Sequence, residues 1–344
     1  MNKVITFGEV MLRLSSPDYS RLSQTETLQI SVGGGEANVA ISLANYGIDV
    51  EFITRLPKND LGDLCLKNLK KNNVNVQNVI WGGDRLGTYY HEKGAVSRGG
   101  KVIYDRNNSA FSSIEPGMIN WDQIFEGVSW FHWTGISAGI SESAAKVCLE
   151  AITSANKKRI TVSVDINYRA NLWKYGKAPI NVMPELVDGC DIIIGNEMDA
   201  EKILGIPSKS LPNKKKLVPE DYSQVFKSMM SKYPRCKKII STIRGSINAN
   251  YNTLTGVLHN GDDFIKASNN YNITHIVDRI GGGDSFMGGL IYGLITWPED
   301  DQKALDFALA ASFLKHTICG DYNQVSINEI EKVLNGNKTG YLIR

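Results

Sequence analysis

HIVDRIGGGDSFMGGLIYGLI, residues 275–295, joins a short apolar, strand-like stretch to a helical period through three consecutive glycines. Phe286, Leu290, Ile291 and Leu294 recur at helical spacing, directly after Gly281, Gly282, Gly283 and Asp284. A glycine turn that opens a helix leaves backbone N–H groups without intrahelical partners, and the helix dipole adds about half a positive charge there. Such a place takes anions. Asp284 in the first turn could serve as a simple cap on that dipole. Three residues without side chains, however, let a ligand reach the backbone, and a carboxylate beside it can accept a proton. An anion hole next to a base points to phosphoryl transfer.

Outward from this segment, β-branched apolar runs alternate with helical periods. VITFG (4–8), VEFIT (50–54), ITVSVDI (160–166), DIIIGN (191–196) and KIISTI (238–243) read as buried strands. Ala37, Ala40, Ile41 and Ala44 fall on one helical face, as do Ala145, Cys148, Leu149 and Ile152. This repetition predicts an α/β fold with a mostly parallel sheet, and helical periods dominate from Asp284 to Gly336. Two stretches break the rhythm: Met11–Val32 and Gly87–Ser112 are polar, alternating and aromatic. They predict either a small second sheet (segments 11–32 and 87–112) that lids a crevice, or two separate surface hairpins. The expectation for residues 1–344 is one α/β domain with this lid. KSLPNKKKLVPED (209–221) reads as an exposed loop.

The 344 residues carry 38 Lys+Arg against 36 Asp+Glu, a net charge of +2, so no general attraction to nucleic acid or to an anionic membrane is expected. Glu9 and Arg13 interrupt what would have to be a signal peptide, and no apolar run approaches the roughly 18 residues of a membrane span. The five cysteines are dispersed, without a CxxC pair, which fits a reducing cytoplasm. Neither Gly100-Lys101 nor Gly176-Lys177 is followed by Ser or Thr, and GxGxxG fails at both glycine clusters. A Walker loop and a dinucleotide fingerprint are therefore absent. Gly135-Ile136-Ser137-Ala138-Gly139 matches the nucleophile elbow of serine hydrolases, so Ser137 carries a rival hypothesis, although no HGGG segment accompanies it.

The second glycine cluster, SVGGGEANVAISLA (31–44), again precedes a helix, with Asn38 in its first turn as a donor for a ligand hydroxyl or for local backbone. Together the two clusters, Gly33-Gly34-Gly35-Glu36-Ala37-Asn38 and Asp278-Arg279-Ile280-Gly281-Gly282-Gly283-Asp284, resemble the paired signatures of the ribokinase-like (PfkB) sugar kinases over essentially the whole chain. Within that family Gly87-Thr88-Tyr89, Tyr104-Asp105-Arg106, Asp165-Ile166-Asn167-Tyr168-Arg169 and Gly320-Asp321 look most like 2-keto-3-deoxygluconate kinases, with fructokinases as the alternative.

The resemblance implies a ribokinase-like three-layer α/β/α fold with a β-sheet lid, and an ATP- and Mg²⁺-dependent kinase. Asp284 would be the general base and Gly281, Gly282 and Gly283 the anion hole. Gly34, Asn38, Tyr89, Tyr104, Arg106, Arg169 and Asp321 would line the sugar pocket, with Arg106 and Arg169 as donors to a sugar carboxylate. Asn167, Asn196, Arg244 and Gly245 would lie on the nucleotide side. The family's NxxE is Asn196-Glu197-Met198-Asp199 here, which leaves Asp199 as a metal candidate acting through water. Gly282 replaces a usual alanine, which is expected to be harmless. A monovalent cation near Asp278 and a homo-oligomer formed through exposed lid edges are left open.

Overall fold

The computed structural model describes residues 2–207 and 218–336, so the basic run at 209–217 lies outside the described residues. A nine-stranded sheet organises the chain. Its parallel part runs Asp49–Ile53, Lys3–Phe7, Val128–Thr134, Thr161–Asp165, Ile192–Ile194 and Lys238–Asn248. It continues antiparallel through Tyr251–His259, which pairs with both Phe264–Lys266 and Tyr271–Ile273.

The β-branched runs form its centre because both faces of the sheet are covered. Ile192 and Ile194 join one core cluster while Ile193 joins the other, as alternation along a strand requires. On the first face lie the helices Gly35–Asn45, Gly282–Thr296 and Asp301–Lys315, through Ala40, Phe286 and Leu305. On the second lie Glu142–Lys157 and Tyr222–Lys232, through Cys148, Ile152 and Phe226. The layers are thus α/β/α.

The stretches that break the rhythm supply a four-stranded sheet, Gln29–Gly33, Met11–Ser15, Thr88–Glu92 and Lys101–Asp105. Met11–Ser15 pairs in parallel with Thr88–Glu92, which joins the two segments into one sheet in place of two hairpins. One expectation fails: the apolar stretch before Gly281 is loop, not strand. Val277 N–H donates to the His316 carbonyl, and the Asp278 carboxylate accepts from Ile280 N–H and Gly320 N–H. The segment is therefore bound to the C-terminal loop and is unavailable to a neighbouring strand.

Candidate active site

Glu9 follows the strand Lys3–Phe7, Asp165 ends Thr161–Asp165, and Arg169 lies just beyond it. These carboxyl ends of parallel strands are the customary place for a ligand crevice. A cavity of about 350 Å³ opens there, between the main sheet and the small one. From the glycine cluster at 33–35 and the helix that follows it is lined by Gly34 and Asn38, and from the small sheet and its exit by Tyr89, Tyr104 and Arg106. Asn167, Arg169 and Arg244 line it from the main sheet, and Gly281, Gly282, Gly283, Asp284 and Asp321 from the C-terminal part.

The glycine turn has the shape its sequence implies. Gly281 caps the Gly282–Thr296 helix with φ 79°, left-handed backbone that favours glycine, and a Cβ there would lie 1.5 Å from the Asp321 carbonyl oxygen. A Cβ on Gly282 would come within 2.8 Å of the His316 ring, so glycine in place of the family's usual alanine suits this chain. Gly283 is exposed and faces open space, which leaves the amides of the first turn approachable.

Asp284 stands at that opening. Asn38 Nδ2 donates to its Oδ2 at 2.6 Å. Burial raises its carboxyl to about 6, the Asn38 bond opposes the rise, and Asp321 adds to it. Such a group is an anion at neutral pH that can still take up a proton.

Two further carboxyls in the cavity were not singled out by sequence. Glu36 is buried, and its Oε1 accepts from Ser137 Oγ at 2.6 Å and from Thr134 Oγ1 at 2.8 Å. Burial lifts it to about 7 against those hydrogen bonds. Asp165 is half-buried and lifted to about 8, by burial first and Asp199 second. Ser137 itself has no exposed surface and its hydroxyl is committed to Glu36, so no acyl substrate can reach it. The hydrolase reading ends with that contact.

Arg106 and Arg169 differ in how they are held. Arg106 Nε donates to Glu9 Oε2 at 2.8 Å, Nη2 reaches the same oxygen at 2.5 Å, and both residues are buried. Ser109 donates to the other Glu9 oxygen, so Glu9, another residue missed in sequence, fixes the plane of the Arg106 guanidinium. Tyr104 lies under that guanidinium, 5.6 Å from ring centroid to Cζ, and packs against Tyr89. Arg169 is exposed and its only hydrogen bond among the described residues goes to the Tyr168 carbonyl. Asp321 turns out to support its neighbours: Arg13 Nη1 donates to Oδ1 at 2.7 Å and the Tyr89 hydroxyl donates to Oδ2.

Arg244 has no carboxylate partner among the described residues. Desolvation in the cleft, then the neighbouring Arg279 and Arg169, lower its pKa to about 10. These three cations converge on one cavity, which suits a polyanion. Arg279, too, was unassigned from sequence although it stands inside the quoted motif. Asn167 lines the cavity in left-handed backbone, φ 45°, which asparagine tolerates.

Asn196, Gly245 and Asp199 are not brought to the cavity. Asn196 caps the helix Glu197–Lys202, accepting from Met198 and Asp199 N–H. Asp199 returns the cap, accepting from Asn196 N–H at 2.8 Å and Tyr168 N–H at 3.2 Å, so its carboxylate is committed to backbone donors. Among the described residues no three His, Cys, Asp or Glu side chains could hold an ion. Mg²⁺ commonly keeps several waters and takes one or two carboxylates plus substrate phosphates. Asp165, with no side-chain partner among the described residues, fits that kind of site.

Residues 1–324 match the pfkB family of carbohydrate kinases. The chain is 42% identical to the crystal structure of 2-dehydro-3-deoxygluconokinase from Thermotoga maritima, with a TM-score of 0.91 over 98% of this chain and 100% of that one. It is 28% identical to 2-dehydro-3-deoxygalactonokinase of Haloferax volcanii over 98% of each chain. It is 25% identical to 2-dehydro-3-deoxygluconokinase of Bacillus subtilis over 85% of this chain and 82% of that one. The chain belongs to the pfkB family of carbohydrate kinases and is an ATP-dependent phosphotransferase acting on a sugar. No helix of the described residues is long and apolar enough to cross a membrane.

Proposed function

We propose that this kinase transfers the γ-phosphoryl group of ATP to the terminal hydroxyl of 2-keto-3-deoxygluconate, giving 2-keto-3-deoxy-6-phosphogluconate. The observation that carries the reading is the placement of Asp284 beside the open first turn of the Gly282–Thr296 helix, in one cavity with Arg106 and Arg169. The 2-dehydro-3-deoxygluconokinase and 2-dehydro-3-deoxygalactonokinase relatives support the keto-deoxy sugar acid class, whose two members are epimers, and the 42% match favours the gluconate form.

In this reading Asp284 takes the proton of the attacking hydroxyl while Asn38 holds the carboxylate in place. The N–H groups of Gly283 and Asp284 face the negative charge that builds on the transferred group, without having to reorganise. Arg244 and Arg279 hold the triphosphate. Arg106, oriented by Glu9, and Arg169 receive the sugar carboxylate, a group that neutral hexoses lack. Mg²⁺ would be held by Asp165 and the nucleotide's own oxygens, and would neutralise phosphate charge.

A panel of 2-keto-3-deoxygluconate, its galacto epimer, fructose and ribose, with ADP formation as readout, tests the reading. The keto-deoxy acids should be phosphorylated with kcat/KM at least about a hundredfold above fructose, two charge-assisted contacts being worth roughly that much or more. Faster turnover of fructose would replace this substrate class with a neutral ketohexose.

A further inference from the structure

Directly behind the anion hole lies a buried cluster of charges that the reaction described above does not use. Arg13 bridges two carboxylates, with Nη1 2.7 Å from Asp321 Oδ1 and Nη2 2.7 Å from Asp278 Oδ2. One guanidinium cannot balance two buried anions. His91, also on Arg13, is kept neutral: burial and then Arg13 lower its pKa to about 4. The second cation is Lys315, the last residue of the Asp301–Lys315 helix, which has no exposed surface.

Its ammonium has no ion pair among the described residues. It makes only two long contacts, 3.4 Å to the Asp278 carbonyl and 3.5 Å to the Ile318 carbonyl. Burial lowers its pKa, with Asp278, Asp321 and Asp284 acting against that and Arg13 with it. A buried ammonium with loosely placed carbonyl acceptors resembles an ion in a cage more than a hydrogen-bonded lysine. The two carbonyls belong to the segments that shape the glycine turn, 278–281 and 318–321. Asp278 links them through Ile280 N–H and Gly320 N–H, and the Asp321 carbonyl rests on Gly281.

We propose that Lys315 is a positioning residue whose ammonium serves as a built-in monovalent cation, completing the charge balance of Asp278 and Asp321 and holding both segments behind the anion hole. Turnover of the intact chain then needs no added monovalent ion. The catalytic part of this inference rests on the kinase reading; the ion-site part does not.

The test compares KCl, NH₄Cl and choline chloride at matched ionic strength. Wild-type kcat/KM for ATP should vary by less than about twofold among them. Lys315→Met keeps the chain's bulk and removes its charge. Its kcat/KM for ATP should fall by about 10- to 100-fold in choline chloride, the usual loss when support behind a site is removed. KCl or NH₄Cl should recover most of that loss. With no substrate present, the thermal midpoint of K315M should rise in KCl over choline chloride, since an ion that binds only the folded chain stabilises it. If the variant folds poorly, its refolding yield in the two salts gives the same reading. A wild type that depends on potassium overturns the proposal. So does a variant whose rate, melting and refolding ignore the cation. A wild type that phosphorylates no sugar acid in any salt refutes the sugar-acid reading alone, and the melting comparison still decides the ion site.

Discussion

Replacing Asp284 by asparagine preserves the side chain's shape and its place beside Asn38, 2.6 Å away, but removes the proton acceptor. Loss of a positioned base should lower kcat by roughly 10²- to 10⁴-fold. The same exchange should raise stability. In the folded chain the carboxyl is lifted from 3.8 to about 6, chiefly by burial. At about 1.4 kcal/mol per pH unit, keeping it ionised destabilises the native state by on the order of 1–3 kcal/mol at pH 7, the lower end allowing for its partial solvent contact. The sign follows from the raised pKa. Below the unfolded value both states hold the proton and there is no penalty; the penalty grows as pH rises through the interval and is complete above the folded value. Urea unfolding of both proteins at pH 4, 5, 6 and 7.5 should therefore show D284N gaining on the wild type across that interval and holding a constant lead above it. Wild-type kcat/KM should show an acid limb near pH 6, falling about tenfold per pH unit. Near-normal turnover by D284N, or a limb near the ordinary carboxylate value, would refute the assignment of the base.

Arg169→Ala should weaken sugar-acid binding by roughly 10- to 150-fold, with little change in thermal midpoint, because Arg169 is exposed. Arg106→Ala should lose the same substrate and also about 3–5 kcal/mol of stability by denaturant titration, since Glu9 is left buried without its cation. Gly281→Ala should lose about 3 kcal/mol or more together with activity, from the left-handed backbone and the 1.5 Å clash with the Asp321 carbonyl. Ser137→Ala should cost about 1–3 kcal/mol of stability through Glu36, and ester hydrolysis should be undetectable in both wild type and variant.

The parts legible in the sequence were those encoded locally. A strand buried on both faces writes itself as a β-branched run, which is why Ile192–Ile194 and Thr161–Asp165 stood where expected. Gly281 and Asp284 share one turn, so a glycine needed for left-handed backbone and an acid at a helix start appear as neighbours in the chain. At Asp199 the NxxD spacing fits both a metal-associated motif and a reciprocal helix cap, and the cap is what the fold shows. His275–Ile280 misled because an apolar run carries no record of what its N–H groups will bond.

By itself the amino-acid sequence determined the alternating α/β order, the two irregular segments that break it, and the glycine turn with an acid beside it. Tertiary structure alone decided which charges are free to meet a ligand. Arg13 finds Asp321 across 308 residues and Arg106 finds Glu9 across 97, pairings that no local period records. A charged side chain looks the same in a sequence whether it faces solvent, a substrate or a buried partner. Its role is set by the difference between desolvation and pairing, and both depend on chain segments brought together only by folding.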